Sequence, residues 1–497
     1  MAVNLSEPPT GPVPPAWGWR QPGAGRAVHV HAGVEYQATT VQLCGLFPFM
    51  AGSGAPGCGV PIGQHIFTHE TVGLDPFEWL DAGLTTNPGM FLLGQPGAGK
   101  SALSKRLVLG MSGFGVRPLI LGDTKPDYTR VVEHLGGQVI KVGRGLDRIN
   151  PLDAGPLRGI LPRLGQVDAD RLRLEIRGRR LSLVLALCAL ARRQPMDNAE
   201  EVILGRAVDL ATDRNGTTDP TIPDILEILD NGPDELRMAA RAYDPAEYQK
   251  RITDLVFTLD YLVDGPLKGV FDGPTTRSID LDAPAVSVDI SHVAAAGDTL
   301  VAAAMLCVWG YGFGLVDAAA VAAERGLAPR RRYLAVMDEL WRALRGAAGL
   351  VEHADALTRL NRQRGMASLM ITHGLDDLRA LATEEERAKA AGFIDRSAIK
   401  ILAALPHSEL DKVSRIVRLS DMERGLVASW ASADSYTPRS VHPGRGKYLI
   451  KTGERAGLPV SMHLVDPEPK LYHTDAAVAD PHQQAAATIL KFAARRR

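Results

Sequence analysis

Residues 90–101 read Met-Phe-Leu-Leu-Gly-Gln-Pro-Gly-Ala-Gly-Lys-Ser. An apolar run, Met90–Leu93, leads into Gly94-x-x-x-x-Gly99-Lys100-Ser101, and a helical stretch, Ala102–Leu109, follows. Strand, glycine-rich loop, helix is the context in which backbone N–H groups curl around a polyphosphate. The helix N-terminus adds a favourable field for an anion. Residues Gly94, Gln95, Pro96, Gly97, Ala98, Gly99, Lys100, Ser101 and Ala102 are therefore the candidate nucleotide cradle. Lys100 is placed to reach the β- and γ-phosphates, and Ser101 to hold Mg²⁺.

Such a loop needs an acidic partner near the metal. Tyr333–Met337 is an apolar strand that ends in Asp338-Glu339. Asp338 is the candidate Mg²⁺ ligand, and Glu339 the candidate general base for an attacking water. A further strand, Ala367–Thr372, ends at His373, which falls where a sensor of the γ-phosphate or the lytic water would sit. Upstream, Asn361-Arg362-Gln363-Arg364-Gly365 supplies arginines that could stabilise charge on a neighbouring subunit's γ-phosphate. Asp123-Thr124-Lys125-Pro126-Asp127-Tyr128 follows a second strand. It reads either as a turn capped by Asp and Pro or as charges facing the nucleotide or a translocated polymer.

These residues must be held by a sizeable frame. The chain has 497 residues, 45% of them hydrophobic and only 5% aromatic, so the core is aliphatic and alanine-rich. Its net charge of −1 excludes a global basic field, and nucleic-acid contact must come from a local patch or pore. Four cysteines without C-x-x-C or zinc spacing suit a reducing, cytoplasmic setting. His65 and His69 are four apart, but Glu70 follows them and the H-E-x-x-H order is missing. Thr299–Val316 carries no charge and is long enough to span a membrane. Three internal glycines and flanking Asp298 and Asp317 argue instead for a buried core helix, with no integral membrane segment.

Strand and helix patterns alternate from residue 90, which predicts an α/β fold with a parallel sheet. The strands expected are Met90–Leu93, Pro118–Leu121, Gln138–Val142, Ala285–Ile290, Tyr333–Met337, Ala367–Thr372 and Ala398–Ala403. Strand signals vanish between about 155 and 265, where helical periodicity takes over. The predicted organisation is a Pro/Gly-rich arm at 1–27, a small lead-in at 28–89, a core at 90–154 and 266–460, an all-helical insertion at 155–265, and a C-terminal segment at 461–497 with a helix and a basic tail. Nine arginines against three carboxylates over 158–193 offer a phosphate-backbone path or a solvated helix face.

Several stretches together resemble the conjugative-transfer and type IV secretion ATPases, the VirB/TraC-type motors of the FtsK–HerA superfamily, in an actinobacterial-like form. Besides the phosphate loop they are Thr40–Phe49, Gly52–Pro56, Gly122-Asp123-Thr124-Lys125, Ile149-Asn150-Pro151-Leu152, Phe271-Asp272-Gly273-Pro274-Thr275, Met337-Asp338-Glu339-Leu340-Trp341 and Arg362-Gln363-Arg364-Gly365. The resemblance covers about residues 40 to 460. It implies a RecA-like P-loop NTPase sheet with an all-helical insertion, ATP and Mg²⁺ as cofactors, and assembly as a homo-hexamer. It also implies work with channel proteins at the inner membrane face to drive DNA or protein transfer. Under it Lys100, Ser101, Asp338 and Glu339 carry over to the nucleotide site, and Arg364 becomes the candidate for the trans-acting arginine. Many relatives have Gln in place of His373 and a larger N-terminal domain. The rival readings are a cytoplasmic DNA translocase of the FtsK–HerA type and an ATP-dependent secretion-machine assembly factor that never touches DNA.

Overall fold

The computed structural model describes residues 54, 56–155, 157–294, 297–339, 342, 365–375, 384–431 and 443–472. The Pro-rich arm, the Thr40–Phe49 stretch, Leu340-Trp341, Arg362, Arg364 and the C-terminal helix and arginine tail lie outside them. The described residues belong to one compact unit, Ser53–Arg497.

Eleven strands form one mixed sheet: β1 (Val60–His65), β2 (Thr71–Leu74), β3 (Gly89–Leu93), β4 (Arg117–Asp123), β5 (Gln138–Lys141), β6 (Val286–Asp289), β7 (Tyr333–Met337), β8 (Met366–Thr372), β9 (Ile399–Leu402), β10 (Lys447–Thr452) and β11 (Leu458–Ser461). Their order is β2-β1-β11-β10-β9-β3-β8-β7-β4-β6-β5. The seven from β9 to β5 pair in parallel, and the four from β2 to β10 are joined antiparallel to them and to each other. The parallel strands are the ones that sequence marks best. β3, β7 and β8 are buried along their whole lengths, which explains continuous apolar runs with no alternation. Of the antiparallel extension, sequence marks β10 as a short β-like stretch, Tyr448–Lys451, and hides the rest: β1 reads Val-Pro-Ile-Gly-Gln-His, and β11 also carries a proline. The lead-in thus contributes two strands to the same sheet.

Among the helices are α1 (Pro76–Asp81), α2 (Lys100–Gly113), α3 (Thr129–His134), α4 (Gln166–Arg192), α5 (Asn198–Asn215), α6 (Ile222–Asn231), α7 (Asp234–Ala240), α8 (Pro245–Asp264) and α9 (Asp298–Glu324). Beyond them lie α10 (Glu384–Arg396), α11 (His407–Val413), α12 (Asp421–Ser429) and α13 (Glu468–Tyr472). Between β5 and β6 no strand occurs among the described residues, and α4 to α8 pack on one another. The ends of this helical stretch are tied together. Asn150 N–H donates to Thr275 Oγ1 at 3.0 Å, and Ile149 N–H to the Val270 carbonyl at 3.1 Å. Asn150 Nδ2 donates to the Pro220 carbonyl at 2.9 Å. The Asn-Pro-Leu and Phe-Asp-Gly-Pro-Thr motifs are therefore two sides of one clasp at the base of the helices.

The apolar helix α9 is long enough to cross a membrane by composition, but 83% of its most apolar window is buried against the protein. Its glycines allow close approach. A Cβ on Gly312 would lie 2.6 Å from Leu121, and one on Gly310 would lie 3.2 Å from Leu183. Trp309 Nε1 donates to the Leu121 carbonyl at 2.9 Å. β4 leaves regular pairing at that point, since Gly122 adopts φ +99°.

Candidate nucleotide site

Strand order explains how distant residues meet. β3, β8, β7 and β4 are consecutive in the sheet, so their carboxyl ends stand side by side. The residues that follow them form one row: Lys100 after β3, His373 after β8, Glu339 after β7 and Lys125 after β4. Lys100 Nζ is 2.8 Å from His373 Nδ1. His373 Nε2 is 3.3 Å from Glu339 Oε1, and Lys125 Nζ donates to the same Oε1 at 3.0 Å. An ammonium only donates, so His373 Nδ1 accepts and its Nε2–H donates to the carboxylate; this fixes the tautomer from the hydrogen bonds.

The loop between β3 and α2 is built by glycine. Gly97 and Gly99 have φ of +82° and +96°, which a side chain would strain. A Cβ on Gly94 would lie 2.5 Å from Ala403 Cβ. Lys100 Nζ also donates to the carbonyls of Gly94 at 2.5 Å and Gln95 at 3.2 Å. The loop is braced from a hairpin far along the chain: Tyr448 on β10 donates its hydroxyl to the Gly99 carbonyl at 2.8 Å, and Gly446 N–H donates to Ala98 at 3.2 Å. Ser101 lies in the first turn of α2, where backbone N–H groups lack an i−4 acceptor. Glycines at positive φ, a helix N-terminus and a buried lysine fit a polyphosphate.

Asp338 and Glu339 leave β7 in different surroundings. Asp338 Oδ2 accepts the Tyr128 hydroxyl at 2.9 Å, and Ser104 Oγ on α2 is 2.8 Å from that hydroxyl. Burial pushes the Asp338 carboxyl above its ordinary value, with the Tyr128 hydrogen bond opposing. A carboxylate in this position, braced and costly to leave charged, suits a cation. Ser101 and Asp338 would hold Mg²⁺. Glu339 adopts φ +53°, a left-handed backbone unusual for glutamate, and is buried. Burial would raise its carboxyl too, but the hydrogen bonds from His373 and Lys125, with the charge of Lys125, overcome this and hold it at about 2.

The loop after β4 is the capped turn, and it carries Lys125 to Glu339. Asp123 is a turn cap: its carboxylate accepts from the N–H groups of Lys125 at 3.3 Å, Asp127 at 3.1 Å and Tyr128 at 2.9 Å. Burial still lifts it to about 6. Lys125, held by that turn, reaches Glu339. Sequence reading left the roles of Lys125, Tyr128 and Tyr448 unassigned. Only Lys125 and Tyr128 had a local signal, their place just past a strand end.

Seven of the nine arginines over 158–193 stand in ion pairs. Arg158 and Arg180 pair with Asp219, Arg171 with Glu175, Arg173 with Asp170, Arg177 with Asp209, Arg179 with Asp317 and Arg192 with Glu200. Four of them, Arg177, Arg179, Arg180 and Arg192, tie α4 to residues outside it. His65 Nδ1 accepts from Thr68 N–H at 3.1 Å, closing the β1–β2 turn. No three His, Cys, Asp or Glu residues cluster as a metal site among the described residues.

No protein-family model matches the chain, and no curated protein matches it. Among solved structures it is similar to VirB4 of Thermoanaerobacter pseudethanolicus, at 21% identity and a TM-score of 0.63, over 84% of this chain and 100% of that one. The bacterial conjugative coupling protein TrwB aligns at 12% identity and a TM-score of 0.48, over 76% of this chain and 86% of that one. The parallel order β9-β3-β8-β7-β4, the loop after β3 and the acidic end of β7 make this a RecA-like α/β fold of the P-loop kind, shared with VirB4.

Proposed function

We propose that the chain is an ATP-hydrolysing motor of the type IV secretion and conjugation class. It works as a homo-hexamer with channel proteins at the inner face of the cell membrane and energises DNA transfer. The observation that carries this reading is the row Lys100–His373–Glu339–Lys125 across four adjacent strand ends, with Asp338 braced beside it. The VirB4-like fold supports it.

Mg²⁺–ATP, when bound, supplies the phosphoanhydride to be cleaved and the metal charge that neutralises it. Residues 94–102 wrap the phosphates, with Lys100 turning from the Gly94 and Gln95 carbonyls toward them. Ser101 and Asp338 would hold the metal. Glu339, ionised at neutral pH, accepts a proton from the attacking water through its carboxylate. His373 links the lysine to that base and orients both. Arg364 acts from a neighbouring copy.

The test is steady-state ATP hydrolysis by the wild type and Glu339→Gln, with and without single- and double-stranded DNA at two salt concentrations. Salt-sensitive stimulation by DNA, lost in the variant, is expected. Equal turnover by the variant would remove the base assignment. DNA-independent turnover favours an assembly factor that acts on protein, a second reading supported by the ion-paired state of the α4 arginines.

A further inference from the structure

Lys125 occupies an unusual position in the row. Its partner Glu339 is 10% exposed at the side chain, whereas Lys125 is 65% exposed. The lysine side chain is therefore largely open to solvent while the carboxylate it holds is buried. The backbone beneath Lys125 is fixed, because Asp123 accepts three N–H groups from residues 125, 127 and 128. The long side chain above it can change partner without moving that backbone. Partly exposed ion pairs are weak, so a better anion would draw Lys125 away.

We propose that Lys125 is the residue that distinguishes a nucleoside triphosphate from a diphosphate, holding Glu339 in the absence of a terminal phosphate and transferring to that phosphate when it arrives. The inference rests on the nucleotide-site reading above. Lys100 reaches the β- and γ-phosphates from one end of the row, and the row from Lys100 to Lys125 runs on past the carboxylates of Asp338 and Glu339. A terminal phosphate entering there meets two negative groups, and Lys125 is the cation already stationed beside them. Its departure takes a charged donor from Glu339 Oε1, so the base is released only when there is a bond to cleave. A diphosphate ends short of this point and leaves the Lys125–Glu339 pair in place.

The experiment is equilibrium binding of ADP and of a non-hydrolysable ATP analogue, both with Mg²⁺, to the wild type, Lys125→Met and Lys125→Arg. Melting curves confirm that each variant is folded. The wild type should prefer the analogue. Lys125→Met should bind it about tenfold more weakly, the scale of a lost charge-assisted hydrogen bond, with ADP affinity held or slightly improved. Lys125→Arg should recover part of the difference. Equal weakening for both nucleotides, or an unchanged preference in Lys125→Met, overturns the inference while leaving the nucleotide site standing. A wild type that binds neither nucleotide overturns the ATPase reading and this one with it.

Discussion

Individual side chains at this site do work that their sequence neighbourhood only partly announces. Asp123 is the clearest case. Its carboxyl titrates at about 6 in the fold because burial outweighs three backbone hydrogen bonds, against an ordinary value of 3.8. The folded state then binds a proton more tightly than the unfolded chain. This stabilisation is complete below about pH 4 and is lost as pH rises through 6. A shift of about two units corresponds to about 3 kcal/mol. Asp123→Asn cannot titrate, so the stability difference between wild type and variant should change by about that amount between pH 4 and pH 7, against the wild type as pH rises. Glu339 shifts the other way, to about 2, but it is present in both proteins and cancels. Urea unfolding of the two proteins at several pH values measures this, and a pH-independent difference rules it out. Tyr128→Phe removes the donor to Asp338 and should cost about 1–2 kcal/mol, with a higher Mg²⁺ requirement for hydrolysis. An unchanged Mg²⁺ titration would separate Tyr128 from the metal site.

At the level of elements, the strands that carry the site were legible because their burial on both faces leaves a plain apolar signature. Met90–Leu93 and Tyr333–Met337 could hardly be read otherwise, and each hands its residue to the edge that carries the candidate site. The loop glycines and the Asp338-Glu339 pair were legible for the same reason: they are contiguous with a strand end. The hairpin brace was not. Tyr448 meets Gly99 from 349 positions away, and nothing in Lys447–Thr452 records that partner. β1 and β2 were hidden because short strands with Pro and Gly carry little periodicity. The row of four residues needed the order β3-β8-β7-β4, which no local pattern contains. Two variants test these joints. Tyr448→Phe loses one hydrogen bond, about 1 kcal/mol, and should weaken nucleotide binding a few-fold with little change in melting temperature. An unaltered nucleotide affinity would leave Tyr448 a packing residue. Trp309→Phe should cost about 2–3 kcal/mol, because it leaves the Leu121 carbonyl at the Gly122 irregularity without its indole donor and opens space under β4. Chemical denaturation reads this directly.

On the scale of the whole molecule, the row of four side chains contains no arginine, and a motor that hydrolyses at a subunit boundary takes one from a neighbour. Arg364 follows from the resemblance and lies outside the described residues, so the assignment is best tested by mixing. Arg364→Ala should keep ATP binding and assembly and lose hydrolysis by about a thousandfold, the scale of an arginine finger. Glu339→Gln should be comparably inactive for a different reason, because its own site lacks the base. If the arginine acts within its own copy, every subunit of a mixture carries one defect and none turns over. If it acts on the neighbour, each Arg364→Ala subunit keeps an intact Glu339 and receives Arg364 from an adjacent Glu339→Gln subunit. Mixing the two inactive proteins under conditions that exchange subunits should then restore hydrolysis, greatest near equal proportions and absent when exchange is prevented. A mixture as inactive as its parents, with exchange shown independently, would place the arginine inside its own subunit or remove it from the chemistry.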